Sequence, residues 1–486
     1  MIDQKRPLPD DFFKDWKQRE ALAEAMIPMI GKLYRESNVK AYMYSKPLIN
    51  RSVIDIMKAH RAVRQVEENE LSEFETYPVL KAMTELNLGS CHIDIGKLAV
   101  KFMGQPEGTD ANAWVSAELQ QFIGAADKIL NKPQDVVLYG FGRIGRLLTR
   151  LLVEKAGSGD QLRLKAIVVR KGKSPNDLVK RSSLLRRDSV HGSFKGTIRV
   201  EEDTNTLVCN GSEIKVIYAN SPAEIDYTEH GIHDAILLDS TGVWRDEAGL
   251  SQHLDCPGIS KVLLTAPGKG DMKNVVYGIN NDVIKPEDKI VSAASCTTNA
   301  ITPVLKALMD KYGIEKGHVE TVHSYTNDQN LIDNYHAGEC RGRSAALNMV
   351  LTETGAAKAV QKAIPELAGK LTGNSIRVPT PNVSMAILNI QLKAKPTVDE
   401  LNNYMREVAL HSPLQQQIDY TNSPEVVSSD FVGSRHACIF DSKATIVNDN
   451  SCVLYCWYDN EFGYSCQVVR CLEQMAGVNY EVYPTD

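Results

Sequence analysis

The sequence has no strong excess of either charge: 55 Lys and Arg against 61 Asp and Glu leave a net −6 over 486 residues. That removes the general electrostatic reason to expect a nucleic-acid partner. An acidity this mild does not imply disorder either. Long apolar runs are missing as well. The opening MIDQKRPLPDDFFKDW mixes charges of both signs without a sustained apolar stretch, so neither a secretory signal nor a membrane anchor is expected. The ten cysteines (91, 209, 256, 296, 340, 438, 452, 456, 466 and 471) lack the C-x-x-C spacing of metal or redox sites. The expectation is a reduced, cytoplasmic protein with no metal centre, in which most cysteines are buried as small hydrophobes. A functional cysteine then has to be found from its local context. Repeats and low-complexity tracts are absent.

What is present is enough chain for two to four domains, with 43% hydrophobic residues to build their cores. Up to about residue 130 the pattern reads helical. Ile49, Val53, Ile56, Met57, His60 and Val63 fall on one helical face, and Ser52 and Asp55 are placed as a capping box. Thr76 and Pro78 are placed to start a second helix that buries Leu80, Met83 and Leu86 and stops at Gly89. A third runs from Asp94 to Gly104, and a fourth carries Val115, Leu119 and Phe122. GQPEGTDAN (104–112) reads as a turn and NKPQD (131–135) as a boundary. Beyond it strands and helices alternate: VVLYG (136–140), an amphipathic helix over 142–157 and LKAIVV (164–169) make one βαβ unit. Later strands include AILLDS (235–240), KVLLTA (261–266) and KIVSAAS (289–295). From HVETVHS (318–324) onward a strand-rich half alternates as an antiparallel sheet with one covered face does.

Gly140-Phe141-Gly142-Arg143-Ile144-Gly145 sits between the first of these strands and its helix. In a dinucleotide fingerprint the first glycine permits the tight turn, the second lets pyrophosphate approach the backbone, and the third lets helix and strand pack closely. The helix N-terminus supplies free N–H groups to the phosphates. The second strand of such a unit should end in an acidic residue for the ribose hydroxyls. Here it ends in Val169-Arg170-Lys171. Arg170 either receives a 2′-phosphate, which a guanidinium suits, or is a solvated surface charge.

Ser292-Ala293-Ala294-Ser295-Cys296-Thr297-Thr298-Asn299 ends a strand and opens an apolar helix. A cysteine at a helix N-terminus has its thiolate favoured by the dipole and free amides, which suits a nucleophile. His323, in TVHSYT, is a candidate proton shuttle for it. With ASCTTN, GFGRIGR, TVHSYTNDQ, TGAAKAV (354–360), GKLTG (369–373), RVPTPNVS (377–384) and WYDNEFGYS (457–465) in this order, the chain resembles the glyceraldehyde-3-phosphate dehydrogenase family over about residues 134–476.

The resemblance implies a Rossmann-type α/β dinucleotide-binding domain (134–295 with 459–476) and an α+β catalytic domain with a mostly antiparallel sheet (296–458). An α-helical N-terminal extension (1–133), for which the common enzyme has no counterpart, precedes them. It implies Cys296 as nucleophile and His323 as base. Gly140, Gly142, Arg143, Ile144, Gly145, Thr241, Gly242, Thr265 and Asn460 would line NAD or NADP, with Arg170 as read above. Ser295, Thr297, Thr354 and Gly355 would bind inorganic phosphate with Arg341, for which Arg343 competes, while Arg377 and Thr326 would bind the substrate's phosphate. A homotetramer with small-molecule substrates only, and no membrane or nucleic-acid partner, is implied. Two departures stand out: the missing acidic residue after the second strand, and Asp328 in TNDQ beside a phosphate site. Two other readings remain open, namely oxidation of erythrose 4-phosphate by the same chemistry and an inactive scaffold that keeps the fold.

Overall fold

The computed structural model describes residues 8–67, 70–124 and 130–484, so residues 1–7 of the opening segment read above lie outside it. The strand Gln134–Tyr139 alternates its side chains between two cores. Val136 and Leu138 enter one, and Val137 and Tyr139 the other, as period-two geometry requires of a strand covered on both faces. It lies inside an eight-stranded sheet. Six strands are parallel, in the order Ile290–Ser292, Ile259–Leu264, Ala235–Asp239, Gln134–Tyr139, Leu162–Val169 and Ser212–Tyr218. Thr206–Cys209 and Ile198–Glu201 close the edge antiparallel. Connections run to opposite sides from Gln134–Tyr139, so the loop after it stands at a topological switch point, where open α/β sheets bind ligands.

The helix after that strand, Arg143–Glu154, buries Leu147, Leu148, Leu151 and Leu152, each contributing about 1.5–3 kcal/mol by leaving water. The last long helix, Phe462–Ala476, returns to pack against it in the same core. A second sheet of seven strands in line follows the cysteine helix Cys296–Tyr312. Its long strands Ile314–Ser324, Ser384–Leu392 and Ser451–Tyr458 pair antiparallel, while Leu371–Val378 lies parallel beside the first of them. The sheet is therefore mostly antiparallel, as expected.

The N-terminal segment has a core of its own, including Met26, Ile56, Leu80, Met83 and Ile93. The helix Val53–Ala62 starts at the Ser52/Asp55 capping box, and Ile95–Met103 runs from the Asp94 cap to Gly104, both as read from the sequence. The helix Glu73–Thr84 begins earlier than expected. Ser72 and Glu75 cap it, which leaves Pro78 inside the helix rather than at its start. The segment is also not helical throughout. Lys40–Met43, Lys46–Pro47 and His92–Asp94 form a small sheet that Val482–Tyr483, from the other end of the chain, completes. Strands of two to four residues carry no readable period, and their pairing is non-local.

Docking of this segment explains two features outside the family motifs. The GSGDQ turn (157–161) receives it: Asn38 Nδ2 donates to Ser158 Oγ (2.6 Å) and Asp160 Oδ1 (2.8 Å), and Gly157 N donates to Tyr34 Oη (3.1 Å). Arg406 closes the other side with hydrogen bonds to the Val66 carbonyl (2.7 Å) and Glu67 (3.1 Å). No helix among the described residues is long and apolar enough to cross a membrane.

Candidate active site

The three fingerprint glycines meet three different demands. Gly140 has φ 104°, in the left-handed region, and a Cβ there would fall 2.9 Å from Ser240 Oγ. A Cβ on Gly145 would stand 2.4 Å from the Gly140 carbonyl oxygen. A Cβ on Gly142 would meet nothing within 4 Å, so the open side of the turn lies there, at the N-terminus of Arg143–Glu154. The residues present thus fit a dinucleotide pyrophosphate. Ile144 packs partly buried against the core. Asp239, at the end of a neighbouring parallel strand, holds the next turn by accepting from Thr241 N (2.8 Å) and Thr241 Oγ1 (2.7 Å). Gly242 follows at φ 67°, and Thr265 donates through N (3.0 Å) and Oγ1 (3.1 Å) to the Asp239 carbonyl. Arg170 is exposed at the end of its strand.

Arg143 commits its guanidinium to the protein: Nη1 donates to Asp188 (2.6 Å) and Nε to Glu461 (2.9 Å). His191, 3.2 Å from Asp459, completes this network. Asp188, His191, Asp459 and Glu461 were not singled out from the sequence. Two of them lie in WYDNEFGYS, where only Asn460 had been assigned. Asn460 Oδ1 accepts from Ser384 Oγ (2.9 Å), and Ser384 Oγ accepts from Ser324 N (3.1 Å), which joins the cofactor side to the catalytic strand.

Cys296 is the first residue of Cys296–Tyr312, and Ser295 caps that helix by accepting from Thr298 N (3.0 Å). The approach to it is strained. Ala294 holds φ 56°, and its carbonyl accepts from Tyr464 Oη (2.9 Å), while Asn299 Nδ2 donates to Ala293 O (2.8 Å) and Ser295 O (2.9 Å). A non-glycine residue in this conformation costs about 1–3 kcal/mol and persists only where its surroundings enforce it. The sulfur lies 3.4 Å from His323 Nε2. The tertiary fold thus joins a pair separated by 27 positions. Tyr458, another residue that sequence reading missed, stands behind them: its hydroxyl bonds Thr297 Oγ1 (3.0 Å) and Thr321 Oγ1 (2.6 Å), and its ring packs edge-on to His323.

On the sheet His323 and Arg377 are register partners. Arg377 Nη1 stands 2.8 Å from His323 Nδ1, 3.0 Å from the Ser324 carbonyl and 3.4 Å from Thr326 Oγ1. Burial, with the Arg377 charge beside it, pushes His323 down to about 3. Burial likewise pushes the Cys296 thiol up, against the pull of Arg377. Both shifts favour the uncharged forms of the pair, because desolvation outweighs what the helix N-terminus offers a thiolate.

Asp328, an exposed residue, brings a carboxylate of the chain itself to the anion region. It accepts from the Thr326 hydroxyl and from Arg341 Nη1 (2.8 Å), and Arg341 Nη2 reaches Thr352 Oγ1 (3.3 Å). Arg343 instead pairs with Asp333 (3.1 Å) and is largely exposed, so of the two competing arginines Arg341 is the one connected to Thr326 and Arg377. Thr354 and Gly355 stand at the start of Ala356–Ala363, a helix packed on Cys296–Tyr312. Eight of the ten cysteines are buried; Cys296 is intermediate and Cys340 exposed. No group of His, Cys, Asp and Glu among the described residues could hold a metal.

Residues 134–247 match the family model described as "Glyceraldehyde 3-phosphate dehydrogenase, NAD binding domain", and residues 295–460 match "Glyceraldehyde 3-phosphate dehydrogenase, C-terminal domain". A Pseudomonas aeruginosa protein named "Glyceraldehyde-3-phosphate dehydrogenase-like protein" is 63% identical over 461 residues, 94% of this chain and 100% of the relative. Glyceraldehyde-3-phosphate dehydrogenases of Zymomonas mobilis and Borreliella burgdorferi are 40% and 38% identical over 346 residues. Those matches take in 70% of this chain and nearly all of each relative (98% and 99%). The long relative therefore extends well beyond the stretch shared with enzymes of ordinary length. The glycine turn at the switch point, the cysteine that opens a helix on the next domain and the family matches over both agree: this chain belongs to the glyceraldehyde-3-phosphate dehydrogenase family, whose members are NAD(P)-dependent oxidoreductases.

Proposed function

We propose that this protein oxidises glyceraldehyde 3-phosphate to 1,3-bisphosphoglycerate with inorganic phosphate, through a thioester on Cys296. The observation that carries the reading is the Cys296–His323 approach of 3.4 Å at a helix N-terminus, with Arg377 and Thr326 alongside. Cys296 sulfur adds to the aldehyde carbon as its proton leaves for His323 Nε2, and the carbonyl oxygen takes that proton back from His323 to complete a neutral hemithioacetal. His323 then removes the hydroxyl proton as the C–H bond breaks. The nicotinamide, when bound, is the hydride acceptor. Asn460, whose Oδ1 accepts from Ser384 Oγ, would hold it. A phosphate oxygen, gathered by Arg341 and the hydroxyls and amides at Thr297 and Thr354–Gly355, attacks the thioester carbon. The C–S bond breaks, and the proton held by His323 returns to sulfur.

For His323 to act as this base, its Nδ1 must carry the hydrogen and donate it to the Ser324 carbonyl, 2.7 Å away. Arg377, donating to the same nitrogen, favours the opposite tautomer. A substrate phosphate on Arg377 would neutralise its charge and draw off the competing donor, so basicity at His323 rises when substrate is in place. Arg170 in place of a carboxylate supports use of NADP as well as NAD.

The test is phosphate-dependent reduction of NAD and NADP by the purified protein. Glyceraldehyde 3-phosphate should turn over and Cys296→Ser should not. Arg170→Asp should move the ratio of efficiencies toward NAD. Turnover of erythrose 4-phosphate alone would transfer the reading to that substrate, and silence with both would leave a scaffold. Leu331, Ile332, Tyr335, Leu347 and Met349, all at least 73% exposed, form an apolar loop that supports a homotetramer as the working assembly. A monomer in light scattering would remove that part.

A further inference from the structure

Three cavities follow the seam between the N-terminal segment and the dehydrogenase body, and Arg435 lines all of them. One, of about 470 Å³, is walled by Arg51 from the segment, Arg150 from the fingerprint helix, Lys195 and Arg435. Its one lining carboxylate, Glu154, is already spent on Arg435 at 2.7 and 2.8 Å. Among the described residues, Arg150 is held only by backbone carbonyls, those of Leu185 and Gly192. The side chain of Arg51 bonds the Pro47 carbonyl (3.1 Å), and Arg51 and Lys195 form no ion pair among the described residues, although the Asp55 carboxylate acts on both at longer range. Val153, Phe194 and Phe462 supply an apolar wall, and Phe462 lies under the Arg435 guanidinium at 5.3 Å.

Four cations around one cavity with a single, committed carboxylate repel one another in a partly desolvated space, and an anion relieves that repulsion. Arg51 is held below its ordinary pKa by burial and then by Arg435, and Lys195 by burial and then by Arg51, while the carboxylates of Glu154 and Asp55 pull both the other way without cancelling the fall. The size suits a small molecule rather than a single ion, since ligand pockets run about 300–1,000 Å³.

We propose that this cavity is a second binding site, separate from the active site, for a phosphorylated small molecule whose phosphates are gripped by Arg51, Lys195 and Arg435. Arg51 comes from the N-terminal segment, so the site exists only where that segment docks.

The test uses the full-length protein saturated with NAD, which removes the adenosine subsite from competition. Titration calorimetry is run with ATP, pyrophosphate and adenosine on the parent and on Arg51→Ser/Lys195→Ser. ATP or pyrophosphate should bind the parent, and affinity should fall roughly tenfold or more in the variant, because charge-assisted contacts are lost. Pyrophosphate binding as well as ATP would mean that the phosphates suffice; ATP alone would mean that the apolar wall is used. No binding of either phosphate compound at millimolar concentration, equal binding to parent and variant, or binding of adenosine alone would each overturn the proposal.

Discussion

Arg377 carries two duties that a single substitution separates. Its charge beside His323 depresses the imidazole, and its donors sit with Thr326 where a substrate phosphate is proposed to bind. Arg377→Leu should raise the Michaelis constant for glyceraldehyde 3-phosphate far more than for unphosphorylated glyceraldehyde. Only the former loses a charge-assisted bond of about 1.5–3 kcal/mol. The same change removes the second cause of the low His323 pKa, so imidazole NMR should show it titrating closer to its ordinary value. Equal losses for both aldehydes with an unmoved histidine would make Arg377 a sheet residue only. The type and position of this arginine were readable from RVPTPNVS. Its contact with His323 was not, because it follows from parallel pairing of strands 54 positions apart.

Among elements, the turn between Gln134–Tyr139 and Arg143–Glu154 gives the sharpest contrast. Gly145→Ala places a methyl group 2.4 Å from backbone oxygen, where nothing flexible can yield, and should cost about 1–3 kcal/mol of stability. Gly142 has an ordinary φ of −75° and open space before it, so Gly142→Ala should leave the melting temperature nearly unchanged and weaken NAD binding. The comparison is thermal melting beside NAD titration for the two variants. If Gly142→Ala binds NAD as the parent does, the pyrophosphate does not lie there. The fingerprint was legible because its spacing is local. The network that restrains Arg143 was not, since Asp188 and His191 come from one other part of the chain and Glu461 from another.

At the scale of the whole molecule, burial of histidines sets a pH dependence. His60, His92, His323 and His436 are each held below their ordinary pKa, with burial the largest cause. Above the unfolded value of about 6.5 both states leave these groups neutral and they contribute nothing. Below it the unfolded chain takes up protons that the folded chain refuses, so stability falls with pH by up to about 1.4 kcal/mol per unit for each histidine. For His323 the loss continues down to about 3. Lys40, pushed down to about 7 by burial, extends the trend above neutrality: between its unfolded value and about 7, stability also falls as pH falls. The melting temperature should drop steeply from pH 6.5 to 5. His92, whose ring nitrogens have no partner among the described residues, should flatten that slope when changed to phenylalanine. A slope indifferent to this change would place the acid sensitivity elsewhere.

By itself the sequence determined what depends on neighbours along the chain: the glycine turn, the capped helices at 53–62 and 95–103, the alternating strands of both sheets, and the cysteine at a helix start. These are short-range consequences of backbone sterics and hydrophobic period, so they survive without knowledge of the fold. Only the tertiary structure decided how distant segments meet. It brought His323 to the sulfur and Arg341 rather than Arg343 to Asp328, and it gave Val482–Tyr483 to a sheet of the N-terminal segment. It also decided that GSGDQ is a docking turn and that Arg51 joins Lys195 and Arg435 around one cavity. The physical reason is the same in each case. Pairing between distant strands and the packing of one domain on another are fixed by burial and charge summed over the whole chain, and no local spacing encodes which partner lies opposite.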